Sequence, residues 1–216
     1  QSDQTSPIQP ETTCAGPSLM TITLRPLCPC RAAPSYQDRF LLLTLCWNRI
    51  LRLQEQGDIT LLIREARASD FQRIVSINAS EEEKTSPIDL ARIIQLSSWS
   101  SYHRVAIKED QVVGFLLVMS NASAYDGANF RWFVDRYSRF LYVDRIVIDP
   151  VFAGMGFGTA LYVDLIEFAK AQGHATLCCE INISPPNPLS HAFHARFGFR
   201  EVGHSKEADA QKVVSY

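Results

Sequence analysis

From residue 58 onward the apolar positions follow two rhythms, every second residue or every third to fourth, and the switches between them mark the elements. Ile59 to Glu65 (ITLLIRE) reads as a strand. Ser69 and Gln72 stand at a capping-box spacing that opens a helix over Phe71, Ile74, Val75 and Ile77. Ser86, with Pro87 at the first helical position, opens a second helix that reaches Trp99. YHRVAIK and QVVGFLLVM, joined through Glu109 and Asp110, predict an antiparallel hairpin. FLYVDRIVID, Phe140 to Asp149, predicts a long strand ended by Pro150. Beyond it Leu161, Leu165, Phe168 and Ala169 recur at helical spacing until Gly173, which stands in a C-terminal cap position. ATLCCEIN is the next strand, PPNP an extended loop, Pro188 to Phe197 a short helix, and FREVGHS and KVVSY are two closing strands.

Before residue 58 the rhythm is absent. Residues 1–57 are rich in Ser, Thr, Pro and Gln up to Ser35, which predicts an extension outside the core. Within it Leu42, Cys46, Ile50 and Leu53 recur at spacings of four, four and three, the mark of an amphipathic helix over 38–56. The chain thus divides into a 1–57 extension and a 58–216 domain. A second departure is SNASAYDGANFRWFVDRYSR, Ser120 to Arg139, dense in aromatic and basic residues but without a continuous apolar face. Its Phe130, Trp132, Phe133 and Tyr137 argue against disorder, so a helical flap packed over something is expected.

Composition narrows the function. The 216 residues are 46% hydrophobic and 20% charged, enough for one core. A formal charge of -2 gives no footprint for nucleic acid and no basic patch for an anionic membrane, so the expected partner is small. No apolar run approaches the ~18 residues of a spanning helix, and the opening QSDQTSPIQPETT lacks the charge-then-apolar order of a signal peptide. A cytoplasmic protein is expected. The spacing Cys28-Pro29-Cys30 is one residue too short for a metal knuckle, and Cys178 and Cys179, adjacent in a strand, point to opposite faces. His191 and His194 share a helix face but lack a third convergent ligand, so no metal is expected.

The most informative stretch is VFAGMGFGTALY, from Val151. A strand, a glycine-rich turn and a helix in succession form an anion site, because unpaired N–H groups converge with the positive end of the helix dipole. A P-loop would need Lys after the last glycine, and none follows Gly158. A dinucleotide fingerprint would place the third glycine three residues after the second, and here it comes after two. The register Ala153-Gly154-Met155-Gly156-Phe157-Gly158 instead resembles the signature of the GNAT superfamily of acetyl-CoA-dependent N-acetyltransferases: Gln or Arg, two residues, Gly, one residue, then Gly or Ala. Both glycines match; Ala153 replaces the leading Gln or Arg. A second match lies in NPLSHAFHARFGF, where Asn187, Ser190 and Gly198-Phe199 stand at the family's positions and His194 replaces its tyrosine. The order of elements from Ile59 to Tyr216 is the family's order, and YVDRIVIDP with NFRWF looks like a bacterial branch of predicted acetyltransferases.

That resemblance implies an α/β (α+β) GNAT-type fold: a central mixed, mostly antiparallel twisted sheet of six to seven strands with four or more flanking helices. It implies transfer of an acetyl group from acetyl-CoA to a primary amine, a small molecule or an amino-terminal group, by direct attack in a ternary complex. A non-catalytic acetyl-CoA-binding regulatory module is the alternative. By position, Ile146, Val147 and Ile148 would present main-chain groups to the donor, Ala153, Gly154, Met155, Gly156, Phe157, Gly158 and Thr159 would hold its pyrophosphate, and Asn187 would touch the pantetheine arm. His194 would be the acid for the departing thiolate. The family's glutamate base falls at Tyr142, so Asp144, on the same strand face by alternation, and Glu180, on the neighbouring strand, are the substitutes. The flap would place Tyr125, Phe130 and Trp132, with Tyr142, at the acceptor. The acceptor is a small-molecule amine or a peptide, and a homodimer stays open.

Overall fold

The computed structural model describes residues 20–23, 61–184, 186–205 and 213–215. Its first strand, β1 (Met20–Thr23), falls in the segment expected to be an extension. Then follow β2 (Leu61–Glu65), α1 (Phe71–Ala79), α2 (Leu90–Trp99), β3 (Tyr102–Lys108) and β4 (Gln111–Ser120). The flap helix α3 (Ala128–Val134) leads to β5 (Leu141–Ile148), α4 (Phe157–Ala171) and β6 (Thr176–Cys179). The described chain ends with β7 (Ile181–Ser184), α5 (Pro188–Arg196), β8 (Arg200–Glu201), β9 (His204–Ser205) and β10 (Val213–Ser215).

Seven strands form one sheet in the order β2-β3-β4-β5-β6-β1-β8, and β7, β10 and β9 form a second. Every adjacent pair of the large sheet is antiparallel except β5–β6, so the sheet is mixed and mostly antiparallel, as expected. Glu109 (φ 49°) and Asp110 (φ 61°) supply the two left-handed residues of a mirror-image hairpin turn between β3 and β4. β1 corrects the expectation for residues 1–57: it pairs with β6 from Met20↔Cys179 to Thr23↔Thr176, and with β8 on its other edge. Four residues are too few to show a period, yet Met20 is buried in the core. The helix expected over 38–56 lies outside the described residues.

Helix starts are set by carboxylates more than by the hydroxyls the sequence favours. Asp70 accepts the amide of Arg67 at 2.7 Å and both guanidinium nitrogens of Arg64 at 2.7 and 2.9 Å just ahead of α1. α2 starts three residues later than Pro87, capped by Asp89, whose side chain accepts the Arg92 amide at 2.7 Å. The Ser86 carbonyl is instead taken by Asn78 and Arg145, at 3.0 and 2.9 Å.

The alternation of β4 divides the core between the two faces of the sheet. Phe115, Leu117 and Met119 pack with Ile74, Ile93 and Phe133 under α1, α2 and α3. Leu116 and Val118 pack with Leu161 and Leu165 under α4. On β5 the alternation breaks at Asp144, because Leu117 pairs with Arg145 and Val118 with Val143, leaving Asp144 as the extra residue of a bulge. Tyr142 and Val147 therefore share one face, while Leu141, Val143, Ile146 and Ile148 share the other. Strict alternation, which puts Asp144 on the face of Tyr142, would put Ile146 and Ile148 there too, and this phase shift moves them to the opposite face. Gly114 sits opposite the far end of β5, where an added Cβ would lie 2.4 Å from Ile148 Cδ1 and 2.9 Å from the Val147 carbonyl oxygen, so the close strand approach requires glycine.

Candidate active site

The bulge coincides with a parting of the sheet. β5 and β6 pair only at Leu141↔Leu177, Tyr142↔Cys178 and Val143↔Cys179. Past that point Asp144 bulges and Glu180 interrupts the strand expected over ATLCCEIN, so that β7 joins the small sheet instead. Between the diverging strands lies a cavity of about 1100 Å³. Residues 146–148, the rim at residues 153–159 and Asn187 all line it, so every position expected at the donor borders one space.

The rim owes its shape to two glycines. Gly154 (φ 76°) and Gly156 (φ 90°) adopt left-handed backbone that other residues resist, and a Cβ at Gly154 would meet nothing, so the turn exposes bare main chain. The first bond inside α4 runs from the Ala160 amide to the Gly156 carbonyl at 2.9 Å, so the amides of residues 157–159 have no acceptor within the helix. They carry the positive end of the macrodipole into the cavity. Asn187 caps α5 by accepting the Ser190 amide at 3.2 Å, which leaves its amide group for a ligand.

At the inner end the two candidate carboxylates are in unlike settings. Asp144 is saturated: Arg145 Nε donates to Oδ2 at 2.6 Å, and the Tyr125 hydroxyl donates to Oδ1. Arg145 also reaches Asn78 Oδ1 on α1 at 3.0 Å and the Ser86 carbonyl at 2.9 Å, so the pair ties the flap to α1 and to the loop before α2. Glu180 has no such cation. Burial pushes its carboxyl up to about 8, against an opposing hydrogen bond from Tyr142, and its Oε2 is enclosed without a partner. Of the expected acceptor contacts, Tyr125 and Tyr142 line the cavity. Phe130 does not: it is 2% exposed, packed on Phe140 and Tyr142, while Trp132 lies under the Arg136 guanidinium at 3.8 Å. An aromatic pattern cannot tell a ring that anchors a flap from one that meets a ligand. Asn129, whose Oδ1 is also enclosed without a partner, lines the cavity and carries no sequence signal.

His194 borders the cavity but is 3% exposed and fully engaged. Its Nδ1 lies 2.8 Å from the Ser190 carbonyl, an acceptor only, so Nδ1 carries the hydrogen and Nε2 accepts from the Tyr162 hydroxyl at 2.6 Å. Burial lowers its pKa to about 4. A neutral imidazole with its one hydrogen committed has no proton to spare, which does not fit the acid role expected of it. His194→Phe is expected to cost about 1–3 kcal/mol by stranding the buried Tyr162 hydroxyl. Urea unfolding measures that loss, and the pH profile of turnover between pH 6 and 9 is expected to stay unchanged.

Cys178 and Cys179 are free buried thiols that pack on opposite faces of the sheet, as their adjacency implies. Among the described residues no helix is long and apolar enough to cross a membrane.

Comparison with known proteins agrees with this geometry. The model of the Acetyltransferase (GNAT) family matches residues 61–199. Among solved structures, Ard1 from Thermoplasma volcanium is similar at 19% identity and TM-score 0.56, over 71% of this chain and 93% of that one. The ribosomal-protein-alanine N-acetyltransferase of Brucella melitensis is 23% identical, with TM-score 0.54 over 71% and 95% of the two chains. A Mycobacterium tuberculosis protein solved in complex with CoA is 18% identical, with TM-score 0.51 over 68% and 76%. Comparison with curated proteins gives no match.

Proposed function

Because the chain belongs to the acetyltransferase (GNAT) family and is an N-acetyltransferase by that membership, we propose that it moves the acetyl group of acetyl-CoA directly to a primary amine within a ternary complex. The observation that supports this reading is the single cavity into which the parted strands, the glycine rim and Glu180 all open. The rim amides and helix dipole suit the pyrophosphate of coenzyme A, and the unpaired edge of β5 at 146–148 suits the amide groups of its pantetheine arm. The thioester then lies near the bulge, a short distance from Glu180. There the amine nitrogen attacks the carbonyl carbon, the carbon–sulfur bond breaks, and the sulfur leaves as thiol. One proton leaves the amine and one is taken up by sulfur, so a neutral amine gives amide and thiol with none released.

Glu180 is the residue we assign to the amine's proton. A carboxyl held near 8 is a far better proton acceptor than an ordinary glutamate, and it matches the task of a base working near neutral pH. Asp144, neutralised by Arg145 and Tyr125, serves instead to fix the flap. Positioning of the two substrates supplies most of the acceleration.

The test is calorimetric titration of acetyl-CoA into the full chain, beside thiol release with spermidine, L-lysine and an alanine-initiated peptide. Binding, and thiol release that depends on the amine, are expected; a folded chain that binds no acetyl-CoA would overturn the reading. Gly158→Val is the matching variant. Gly158 has ordinary helical backbone, and its Cβ would meet Phe193 at 3.5 Å and Ile148 at 3.7 Å, so valine folds but crowds the cavity between them. Acetyl-CoA affinity is expected to fall about tenfold or more, equivalent to about 1.4 kcal/mol, with little change in melting temperature.

A further inference from the structure

The loop between α1 and α2 spans the gap where the sheet parts. Arg145 of β5 donates to the Ser86 carbonyl at 2.9 Å, and Asn182 of β7 donates from Nδ2 to the Lys84 carbonyl at 3.1 Å. Two carbonyls two residues apart are thus held from the two sides of the divergence. The turn that carries them is tight, with the Lys84 and Thr85 amides both donating to the Glu81 carbonyl, at 2.9 and 3.0 Å. Asn182 is buried, and its own carbonyl accepts the amide of Asn187, a residue expected at the donor. The loop is therefore built onto the wall of the cavity.

Lys84 lines that cavity, and it is the one lysine among the described residues that does. Its Nζ is paired with Glu81, three residues before it. The pair has a counterpart elsewhere: Lys170 meets Glu167 at the same spacing, at 2.9 Å, and the two lysine side chains are 45% and 42% exposed. Exposed pairs of this kind are weak, so neither glutamate immobilises its lysine on a flexible four-carbon stem. What separates the two is place, because Lys170, near the end of α4, borders no part of the cavity.

We propose that Lys84 is a self-modification site, to which acetyl-CoA bound in the cavity transfers its acetyl group within the same chain. This rests on the acetyl-transfer reading for the identity of the donor. Once Nζ has lost a proton it attacks the thioester carbonyl carbon, the nitrogen–carbon bond forms, the carbon–sulfur bond breaks, and coenzyme A leaves as thiol. The ammonium gives up two protons in all, one ending on sulfur and one in solvent. The amide formed is neutral and no longer nucleophilic, so the reaction stops at one acetyl group per chain and leaves Glu81 at the cavity wall without its cation.

The experiment incubates the full chain with acetyl-CoA carrying ¹³C in its acetyl group, without added amine, and follows the label on the Lys84 and Lys170 peptides by mass spectrometry. Lys84 is expected to label at least about tenfold faster than Lys170, the advantage of a held donor over a chance encounter. Its first-order rate constant is expected not to change with protein concentration, and excess coenzyme A is expected to slow Lys84 but not Lys170. Thiol release without amine is expected as a burst of one equivalent, which is lost in Lys84→Arg. Labelling of Lys84 no faster than Lys170, a rate constant that rises with protein concentration, no protection by coenzyme A, or a burst that survives in Lys84→Arg overturns the inference. Calorimetry and amine-dependent thiol release on the same preparation tell the two failures apart. A chain that binds acetyl-CoA and acetylates added amines while Lys84 labels at the Lys170 rate overturns self-modification alone, whereas a chain that binds no acetyl-CoA overturns the acetyl-transfer reading and self-modification with it.

Discussion

Glu180→Gln is expected to lower amine-dependent thiol release by about 10²–10⁴-fold, the range lost when a positioned base is removed, while acetyl-CoA affinity stays within about twofold. The amide keeps the shape and the hydrogen bond from Tyr142 but cannot take a proton. In the unaltered chain the base form exists above a pKa of about 8, so kcat/KM is expected to rise with pH up to about 8 and then level; in the variant that limb disappears. The same group has a stability signature of definite sign. Its folded pKa lies above its ordinary 4.5, so between about pH 4.5 and 8 the folded chain holds a proton that the unfolded chain has lost. The contribution to stability is thus complete below about 4.5 and is lost as pH rises through about 8. Glutamine has no charge to bury, and the variant is expected to be the more stable protein at pH 8, by about 1–2 kcal/mol, the partial exposure of the residue reducing the effect. A variant that is more stable and nearly inactive would separate a catalytic carboxylate from a structural one. Unchanged turnover, or a surviving limb near pH 8, would remove Glu180 from the chemistry.

The donor half of the site was legible because it depends on main chain, and main-chain geometry leaves its trace in glycine. Gly156 adopts positive φ at the first glycine the signature marks, with Gly154 left-handed two residues before it, and the helix that follows keeps its periodicity to a cap at Gly173, also left-handed. The acceptor half was legible only in part. Alternation, correct on β4, fails on β5 because a bulge at Asp144 adds one residue, and no composition rule announces a bulge in a run such as YVDRIV. Glu180 could be nominated from its place beside β5, but not its lack of a directly paired cation, because Arg145 turns to Asp144 instead. Asn129 is an ordinary residue in an aromatic stretch; only the enclosure of its oxygen distinguishes it. β1 was missed for another reason: MTIT is too short to carry a period, and its place between β6 and β8 comes from pairing across more than 150 positions, from Thr23 to Thr176.

Arg145→Leu carries the largest expected loss of stability, about 3–5 kcal/mol, the cost of leaving a buried charge without its partner. The side chains of Asp144 and Arg145 are 2% and 8% exposed, and they meet at 2.6 Å. Leucine would fill much of the volume but strand the carboxylate, the Asn78 side-chain oxygen and the Ser86 carbonyl, which Arg145 serves together. Asp144→Asn in the same chain is expected to recover about half of the loss, because it removes the charge while an amide can still accept from Tyr125. Denaturant midpoints of the two single variants and the double variant measure the coupling. Losses that simply add would mean that the two residues act separately. The consequence for function follows from Tyr125, whose hydroxyl holds the flap on Asp144. With Arg145 gone the carboxylate loses its partner, the flap loosens, and KM for the amine is expected to rise more than the dissociation constant of acetyl-CoA, whose rim of amides at residues 154–159 belongs to the turn into α4 and not to the flap. A pair of charges that takes no part in proton transfer would in this way set how firmly the acceptor is held.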